Sequence, residues 1–526
     1  MAWHFEISWE VSHKQGGIYT TLINKAAALS EKFKNHYFYM IGPYIEKQVD
    51  PLFKELSKPE WLRKIDENLG LPLAHYGIWN IPGNPAVILL DFTSALEDEN
   101  KLNDILNPYL NVDNQSYFFP IPPEIQKEVA FGVILTRFLT IFKEQNPDEN
   151  LSIEFHEWQS ACALPSLYQE RLAEFISFTT HATQLGRIAS KVSPFFLKDY
   201  DIKTSPQWMQ TNQSLKHIIE KKSAEQADQV VVTSSILFQE VQNILQVTPD
   251  KIIPPGINVN ALQRSENLVG NREKLHGFLQ SRSLIPAQNS EQIHFKLLIG
   301  ARHEFHNKGF DVTLKSIALL NQIIRLEQLP WRATLIIVAS GFYTKSHEEL
   351  SAKTKTTASY KWLLSDQCIS TDDDIVRTIL NYNLDDRSNP INVLYSPRFI
   401  SKKDGMPFDY LGLVSACDLG VFPSLYEPWG YTGLEALAFG IPVILGKQSG
   451  LGDYFLQQYA NPSSAGVFLL DRENIDLTRQ AKTLANLILQ FFKHYTEYKK
   501  NAVKYSSQDI NLLDFSMLLN ESKCLP

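Results

Sequence analysis

Ser424-Leu-Tyr-Glu427-Pro-Trp-Gly430-Tyr431-Thr432-Gly433-Leu-Glu435-Ala436 decides the fold of this chain. The apolar Leu419-Gly-Val-Phe-Pro423 before it reads as a short buried strand, and Thr432 to Phe439 reads as a helix closed by Gly440 with Pro442 beyond. Strand, loop and helix in that order build the crevice at the carboxyl edge of an open α/β sheet. Unpaired amides and the positive helix end favour an anion there, a diphosphate included. Two carboxylates surround this helix start. Pro428 keeps Glu427 in the loop, so the pair does not read as that of a glycosidase, whose carboxyls stand roughly 5 to 10 Å apart across one bond. Each acid could meet a different part of a long ligand. Thr432-x-x-Glu435 also reads as a capping box, with the carboxylate bound to backbone, and the motif alone leaves both readings open.

Outward from this stretch, apolar runs alternate with helix-length segments: Ala86 to Leu90, Phe175 to Phe178, Gln229 to Thr233, Phe295 to Ile299, Thr334 to Val338 and Pro442 to Leu445. That alternation predicts an α/β protein with parallel sheets and crossover helices. Pro254-Pro255-Gly256 reads as a hinge, and the polar stretch Asn260 to Gln292 as an irregular connection before a second set of alternations. The expected organisation is a Rossmann-like domain at 1–258, a linker region at 259–292 and a second Rossmann-like domain at 293–494. Lys345 to Asn392 reads as a polar surface excursion. Within it, Asp372-x-Asp374 resembles a metal-binding DxD, but Thr371 followed by three acids is better explained as a helix start.

A chain of 526 residues with 44% hydrophobic content can bury more than one core. The net charge of −8 argues against a nucleic-acid binder and suits an anionic ligand met by a local cationic pocket. Cys162, Cys368, Cys417 and Cys524 lack metal-site or disulfide-framework spacing, which fits a reducing cytoplasm. No secretory signal is visible at the amino end, and Val129 to Phe142, interrupted by Arg137, reads as a buried or amphipathic helix. No membrane insertion is expected.

Glu427 and Glu435 on YEPWGYTxxEA resemble the half-site of retaining GT-B glycosyltransferases, and in this wording the glycogen synthase family of animal and fungal type. Other segments agree in order: Trp9-Glu10-Val11 with Gly16-Gly17-Ile-Tyr-Thr20, Phe155-His156-Glu157-Trp158, Thr179-Thr-His181 through Arg187, Pro254 to Val259, Arg302 to Gly309, and Asn461 to Gly466 followed by Asp471-Arg472. The resemblance spans residues 3 to about 515. It implies a GT-B architecture, two Rossmann-like domains facing a deep interdomain cleft, with a terminal helix at about 495–526 crossing back to complete the first. The implied reaction moves glucose from UDP-glucose to the non-reducing 4-hydroxyl of an α-1,4-glucan, with retention. Glycogen or a maltooligosaccharide is the acceptor, with no prosthetic group and no metal.

Arg302 and Lys308 follow the strand Phe295 to Ile299 and Arg187 follows the His181 loop, so these cations are candidates for the diphosphate. Singly, each also reads as a solvated surface charge. By resemblance, His181 lies near the glucose carbon undergoing substitution, Glu427 binds glucose hydroxyls and Glu435 binds ribose hydroxyls. Tyr431, Thr432 and Gly433 then serve the phosphate from the helix start. Gly16 and Gly17 permit close backbone approach, with a helix beginning near Thr20. His156, Glu157 and Trp158 would line the acceptor wall, although Trp158 reads equally as core.

The family's arginine-rich helix that senses glucose 6-phosphate has no counterpart, since no arginine follows Arg479; Lys499, Lys500 and Lys504 remain. Weak or absent activation is expected. Rival readings are a GT-B transferase using ADP-glucose or making a disaccharide, and a catalytically silent glycan-binding scaffold. A homo-oligomer is compatible with the sequence.

Overall fold

The computed structural model describes residues 2–14, 16–70, 73–110, 121–192, 213–285, 293–340, 357–358, 369–370, 373–397, 400 and 406–508. The described chain gathers into two compact units, one holding residues 2–189 and 213–257, the other 190–192 and 258–508. None of the described helices is long and apolar enough to cross a membrane.

In the first unit the described strands are β1 (Ala2–Ser8), β2 (Tyr37–Pro43), β3 (Phe53–Glu55), β4 (Ala74–Trp79), β5 (Ala86–Leu90), β6 (Asn150–His156), β7 (Phe175–Thr180), β8 (Gln229–Val232) and β9 (Lys251–Ile252). They form one sheet in the order β3-β4-β5-β2-β1-β6-β7-β8-β9. All pairings are parallel except those made by β4. One face of β1 carries Trp3, Phe5 and Ile7, and its rings pack on Phe142 and Phe138 of the helix Gln126–Gln145. That helix contains the apolar run from Val129 and buries it, as its periodicity implies.

The opposite face of the same strands is polar and equally buried. His4 pairs in register with Ser152, Glu6 with Glu154, and Ser8 with His156; Glu154 then faces Ser177, and His156 faces Thr179. Parallel strands covered on both faces usually read as unbroken apolar runs, so this alternation inside a buried sheet is a departure that needs internal partners. The helix Gly17–Lys32 supplies one of them, Lys25.

In the second unit β10 (His294–Arg302), β11 (Arg332–Ser340), β14 (Ile391–Ser396), β15 (Leu419–Phe422), β16 (Val443–Gly446) and β17 (Val467–Leu470) form a wholly parallel sheet in the order β14-β11-β10-β15-β16-β17. A separate two-residue pair, β12 (Thr357–Ala358) and β13 (Ile369–Ser370), is antiparallel. Phe295, Leu297 and Ile299 of β10 are buried with the helices Phe310–Leu326 and Leu477–Lys493, and Phe295 stacks on Phe492 at 4.4 Å. Each such side chain contributes about 1.5–3 kcal/mol of transfer free energy.

Two expectations change here. The stretch from Asn260 is not irregular: Asn258 and Asn267 cap helices at Val259–Ser265 and Leu268–Ser281, their side chains accepting from Ala261 N and Gly270 N. Gly270 and Gly277, together with the polar composition, hid this helix from periodicity. The helix Tyr495–Gln508 packs on the second unit, against the turn Pro462–Ala465 and the helix Tyr431–Ala438. The expected return to the first unit beyond it, and half of the excursion from Lys345, lie outside the described residues; the described half is not all surface, since the helix Asp374–Asn381 buries Ile375, Val376 and Ile379 in the core.

The loops at the carboxyl ends of β10 and β15 are joined by polar contacts. Asn307 accepts from Leu425 N through its carbonyl and from Tyr426 N through Oδ1, both at 2.8 Å. Arg472, 2% exposed, donates Nη1 to Pro423 O at 2.7 Å and to His306 O at 3.2 Å, Nε to Gln480 at 2.8 Å, and lies 3.3 Å from Asp311. Gly309 has φ 76°, and a Cβ there would meet Pro423 O at 2.8 Å and Arg472 Nη1 at 2.9 Å, so only glycine fits this crossing. Replacing Arg472 by Met removes the counter-charge of the buried Asp311 carboxylate and the donor to Pro423 O, and leaves His306 O with Gly309 N alone. A loss of about 3 to 5 kcal/mol is expected in urea unfolding, and a loss under about 1 kcal/mol would show that the clamp is dispensable.

Candidate active site

In the second unit the predicted residues converge as far as Lys308 and Glu427. Lys308, 4% exposed, donates its ammonium to Glu427 Oε2. The carboxylate side chain is 29% exposed, so the pair is buried on the lysine side and open on the acid side. Backbone bonds anchor the Glu427 loop: its carbonyl accepts from Gly450 N, and Trp429 O accepts from Leu451 N. Arg302, the last residue of β10, is 62% exposed and lies 3.2 Å from Glu304, whose other carboxylate oxygen accepts from Asn307.

The helix after this loop is Tyr431–Ala438, one residue earlier than its sequence placed it. Gly430, at φ 121°, stands at the cap without a side-chain bond, so the Thr432-x-x-Glu435 capping box is not formed. With Tyr431 as the first helical residue, Glu435 is the fifth and sits in the second turn. It lies close enough to Tyr410 to help raise that buried phenol's pKa, burial being the larger cause. Tyr431 and Thr432 present amides that the helix cannot bond, and Gly433 N turns back to Gly430 O at 3.2 Å. An anion would be welcome at such a start.

Of the DxD pair only Asp374 is described, its carboxylate on Arg377, and the acid between the pair, Asp373, holds the helix start. It caps the helix Asp374–Asn381, accepting from Ile375 N and Val376 N at 2.9 and 3.0 Å, and its second oxygen lies 2.9 Å from His303 Nε2. Thr371 and Asp372 fall outside the described residues.

In the first unit the helix after Gly16-Gly17 begins at Gly17, three residues before Thr20. Glu10 draws it back by accepting from Gly16 N at 2.8 Å and Tyr19 N at 2.9 Å. A Cβ at Gly17 would meet nothing within 4 Å, so there is room for close approach at that residue.

His156, Glu157 and Trp158 are 1%, 1% and 3% exposed. Their placement is internal, and His156 and Glu157 bond the turn that holds His181. Glu157, at φ 64°, accepts from His181 N at 2.7 Å and Ala182 N at 3.1 Å, with Arg187 Nη2 at 3.5 Å. Burial raises its pKa against the pull of Arg187 and the two amides. His156 Nδ1 lies 2.9 Å from His181 Nε2. The HEW run thus grips His181 by backbone and by ring. Burial first, with the charges of Arg187 and Lys25 adding to it, holds the pKa of His181 well below the usual imidazole value, so its ring is neutral near pH 7.

Two further carboxylates, not anticipated from sequence, support the same turn. Glu240 accepts from Thr183 N and Oγ1 at 2.8 and 2.6 Å, and Glu220 accepts from Gln184 N at 3.0 Å. Single acids on distant helices carry no sequence signal that ties them to His181. His4, Glu6 and Glu154 have the mutual spacing of a metal-ligand group. Lys25 Nζ already bridges Glu6 and Glu154 at 2.7 and 2.8 Å, so an ammonium supplies the cation there.

The family model described as glycogen synthase matches residues 6–346 and 364–522. Similar proteins include the glycogen (starch) synthase of Dictyostelium discoideum, 27% identical over 89% of this chain and 60% of that protein. The Neurospora crassa enzyme of the same description is 26% identical over 98% and 81%, and the liver form of Rattus norvegicus 27% over 89% and 75%. This chain thus spans 60% of the length of the Dictyostelium relative. Among solved structures, the catalytic domain of starch synthase IV from Arabidopsis thaliana, bound to ADP and acarbose, is similar at TM-score 0.55 and 15% identity over 99% of this chain and 98% of that one. Sucrose-phosphate synthase from Thermosynechococcus elongatus is similar at TM-score 0.54 and 17% identity, over 99% and 98%. These structures establish the fold, an α/β chain of the GT-B class with two parallel-sheet units. The family match covers nearly the whole sequence, and the chain belongs to the glycogen synthase family.

Proposed function

We propose that the protein transfers glucose from UDP-glucose to the non-reducing 4-hydroxyl of an α-1,4-glucan, glycogen or a maltooligosaccharide, with retention at the anomeric carbon. One observation supports this above the others: a buried lysine and a half-open carboxylate, Lys308 and Glu427, are clamped together at the carboxyl edge of a parallel sheet. The amides that open the helix Tyr431–Ala438 begin four residues after Glu427.

In this reading Arg302 and Lys308 take the charge that builds on the departing diphosphate oxygen, and Arg187 of the first unit adds to it. Tyr431, Thr432 and Gly433 hold phosphate, and Glu435 holds the ribose. Glu427 binds glucose hydroxyls and stabilises the oxocarbenium character that develops as the C1–O bond to phosphate breaks. The acceptor oxygen attacks from the same face, its proton passing to the leaving phosphate oxygen. His181 meets the sugar, and Gly16 and Gly17 let backbone approach the donor. Positioning and charge stabilisation carry the rate, and the cationic side chains make a divalent ion unnecessary. A cytoplasmic site of action agrees with the donor's chemistry.

Initial rates on glycogen with UDP-glucose and with ADP-glucose test the reading. UDP release with chain extension through new α-1,4 links is expected. Faster use of ADP-glucose would overturn the donor assignment, and no transfer from either would overturn the activity.

Arg302→Ala should lower turnover about 100-fold, the scale of one lost preorganised donor. Glu427→Gln should abolish transfer while UDP still binds, and loss of UDP binding would move Glu427 to the nucleotide. Lys499 is a poor phosphate ligand, since burial and then the charge of Arg272 lower its pKa to about 7 despite Asp418. Lys500 and Lys504 are exposed and lack a guanidinium fork. Saturating glucose 6-phosphate should change the initial rate by less than about twofold, and strong activation would refute the expected loss of that control.

A further inference from the structure

The polar face of the first sheet contains a chain of ionisable groups that packing alone does not require. Glu6, 0% exposed, stands in the middle of β1. Its Oε1 lies 2.7 Å from Lys25 Nζ and 2.7 Å from His156 Nε2, and its Oε2 lies 3.3 Å from His4 Nε2. His156 Nδ1 lies 2.9 Å from His181 Nε2. A carboxylate, an imidazole and a second imidazole follow one another to the residue assigned to the sugar.

We propose that Glu6 is a positioning residue: through His156 it dictates which nitrogen of His181 carries the proton, so that His181 meets the sugar donor with Nδ1 as an acceptor. The proposal rests on the reading that His181 contacts that donor.

The polarity follows from donor and acceptor counting. Burial would raise the pKa of Glu6, but the charge of Lys25 and the hydrogen bonds from His156 and His4 outweigh it and hold the carboxyl well below the usual range, so it is ionised. An ionised carboxylate only accepts, which places a hydrogen on His156 Nε2. In the neutral ring Nδ1 is then an acceptor, and His181 Nε2 must bring the hydrogen to it. The remaining nitrogen of His181, Nδ1, is left with a lone pair. The reverse polarity would require a second proton on His156. Lys25 already gives Glu6 and Glu154 a full positive charge at 2.7 and 2.8 Å, so those carboxylates have their counter-ion without an imidazolium. The other groups facing the chain are fixed as well: His4 Nδ1 pairs with Ser152 Oγ at 2.9 Å, and Glu154 accepts from Thr179 at 2.8 Å. Helix, β1, β6 and β7 each contribute a member.

Nitrogen-15 spectra of the histidine-labelled, full-length protein at neutral pH test the polarity directly, with His156→Gln and His181→Asn assigning the signals. Both rings should be neutral and carry the hydrogen on Nε2. A hydrogen on Nδ1 of His181, or a cationic His156, overturns the proposal. This measurement involves no glucosyl transfer, so it stands or falls separately from the proposed activity. On activity, Glu6→Gln should lower kcat about tenfold, the effect of one hydrogen bond offered with the wrong polarity, while KM for UDP-glucose changes less than about twofold. In a His181→Ala background, Glu6→Gln should cost nothing more. Equal losses in both backgrounds would make Glu6 merely structural and overturn the proposal. If Glu6→Gln does not fold, the wild-type spectrum still decides.

Discussion

A guanidinium buried at Arg472 is the contact on which the second unit's chemistry depends. It has five N–H groups to satisfy and almost no water to satisfy them, so it organises two carbonyls, a glutamine and a carboxylate around itself. Those carbonyls belong to the loops after β10 and β15. With Asn307 zipping the same loops together, Lys308 and Glu427 are brought into contact from positions 119 residues apart. The charge pair is a consequence of this clamp, and the crossing is close enough that Gly309 admits no side chain.

The first unit meets a different constraint. Its central strands bury a polar face, which costs several kcal/mol for each group left unpaired. The groups satisfy one another instead: Lys25 between Glu6 and Glu154, His156 between Glu6 and His181, and Glu157 on the backbone of His181. A network of this kind is rigid because each member fixes the next, although Glu157 Oε2 and Ser177 Oγ find no hydrogen-bond partner among the described residues. Three acids on separate elements converge on a single turn, and that turn holds His181 and leads to Arg187.

Much of the fold was legible from local pattern. The strand Ala86 to Leu90 was found to the residue, and β7, β8, β10, β11, β15 and β16 within a few, because five apolar residues bounded by turn signals leave little alternative. The helix of the glutamate motif was misplaced by one residue, since the cap is a glycine at positive φ, where no side chain announces it. The helices from Val259 escape local pattern because both are polar and the longer one, Leu268–Ser281, carries Gly270 and Gly277. Among site residues, the sequence pointed to Glu427 and Lys308 separately. Nothing in it said that they touch.

From its sequence alone the chain determined its class, its alternating order of elements and the motifs that identify its family, because these depend on local periodicity and on the types of neighbouring residues. Tertiary structure alone decided that His156, Glu157 and Trp158 face inward as supports, that Asp373 is spent as a helix cap, and that Arg472, Glu220 and Glu240 serve the site at all. Those outcomes depend on which donors and acceptors meet after burial. A carboxylate looks the same in sequence whether water, a metal, an arginine or a backbone amide will satisfy it.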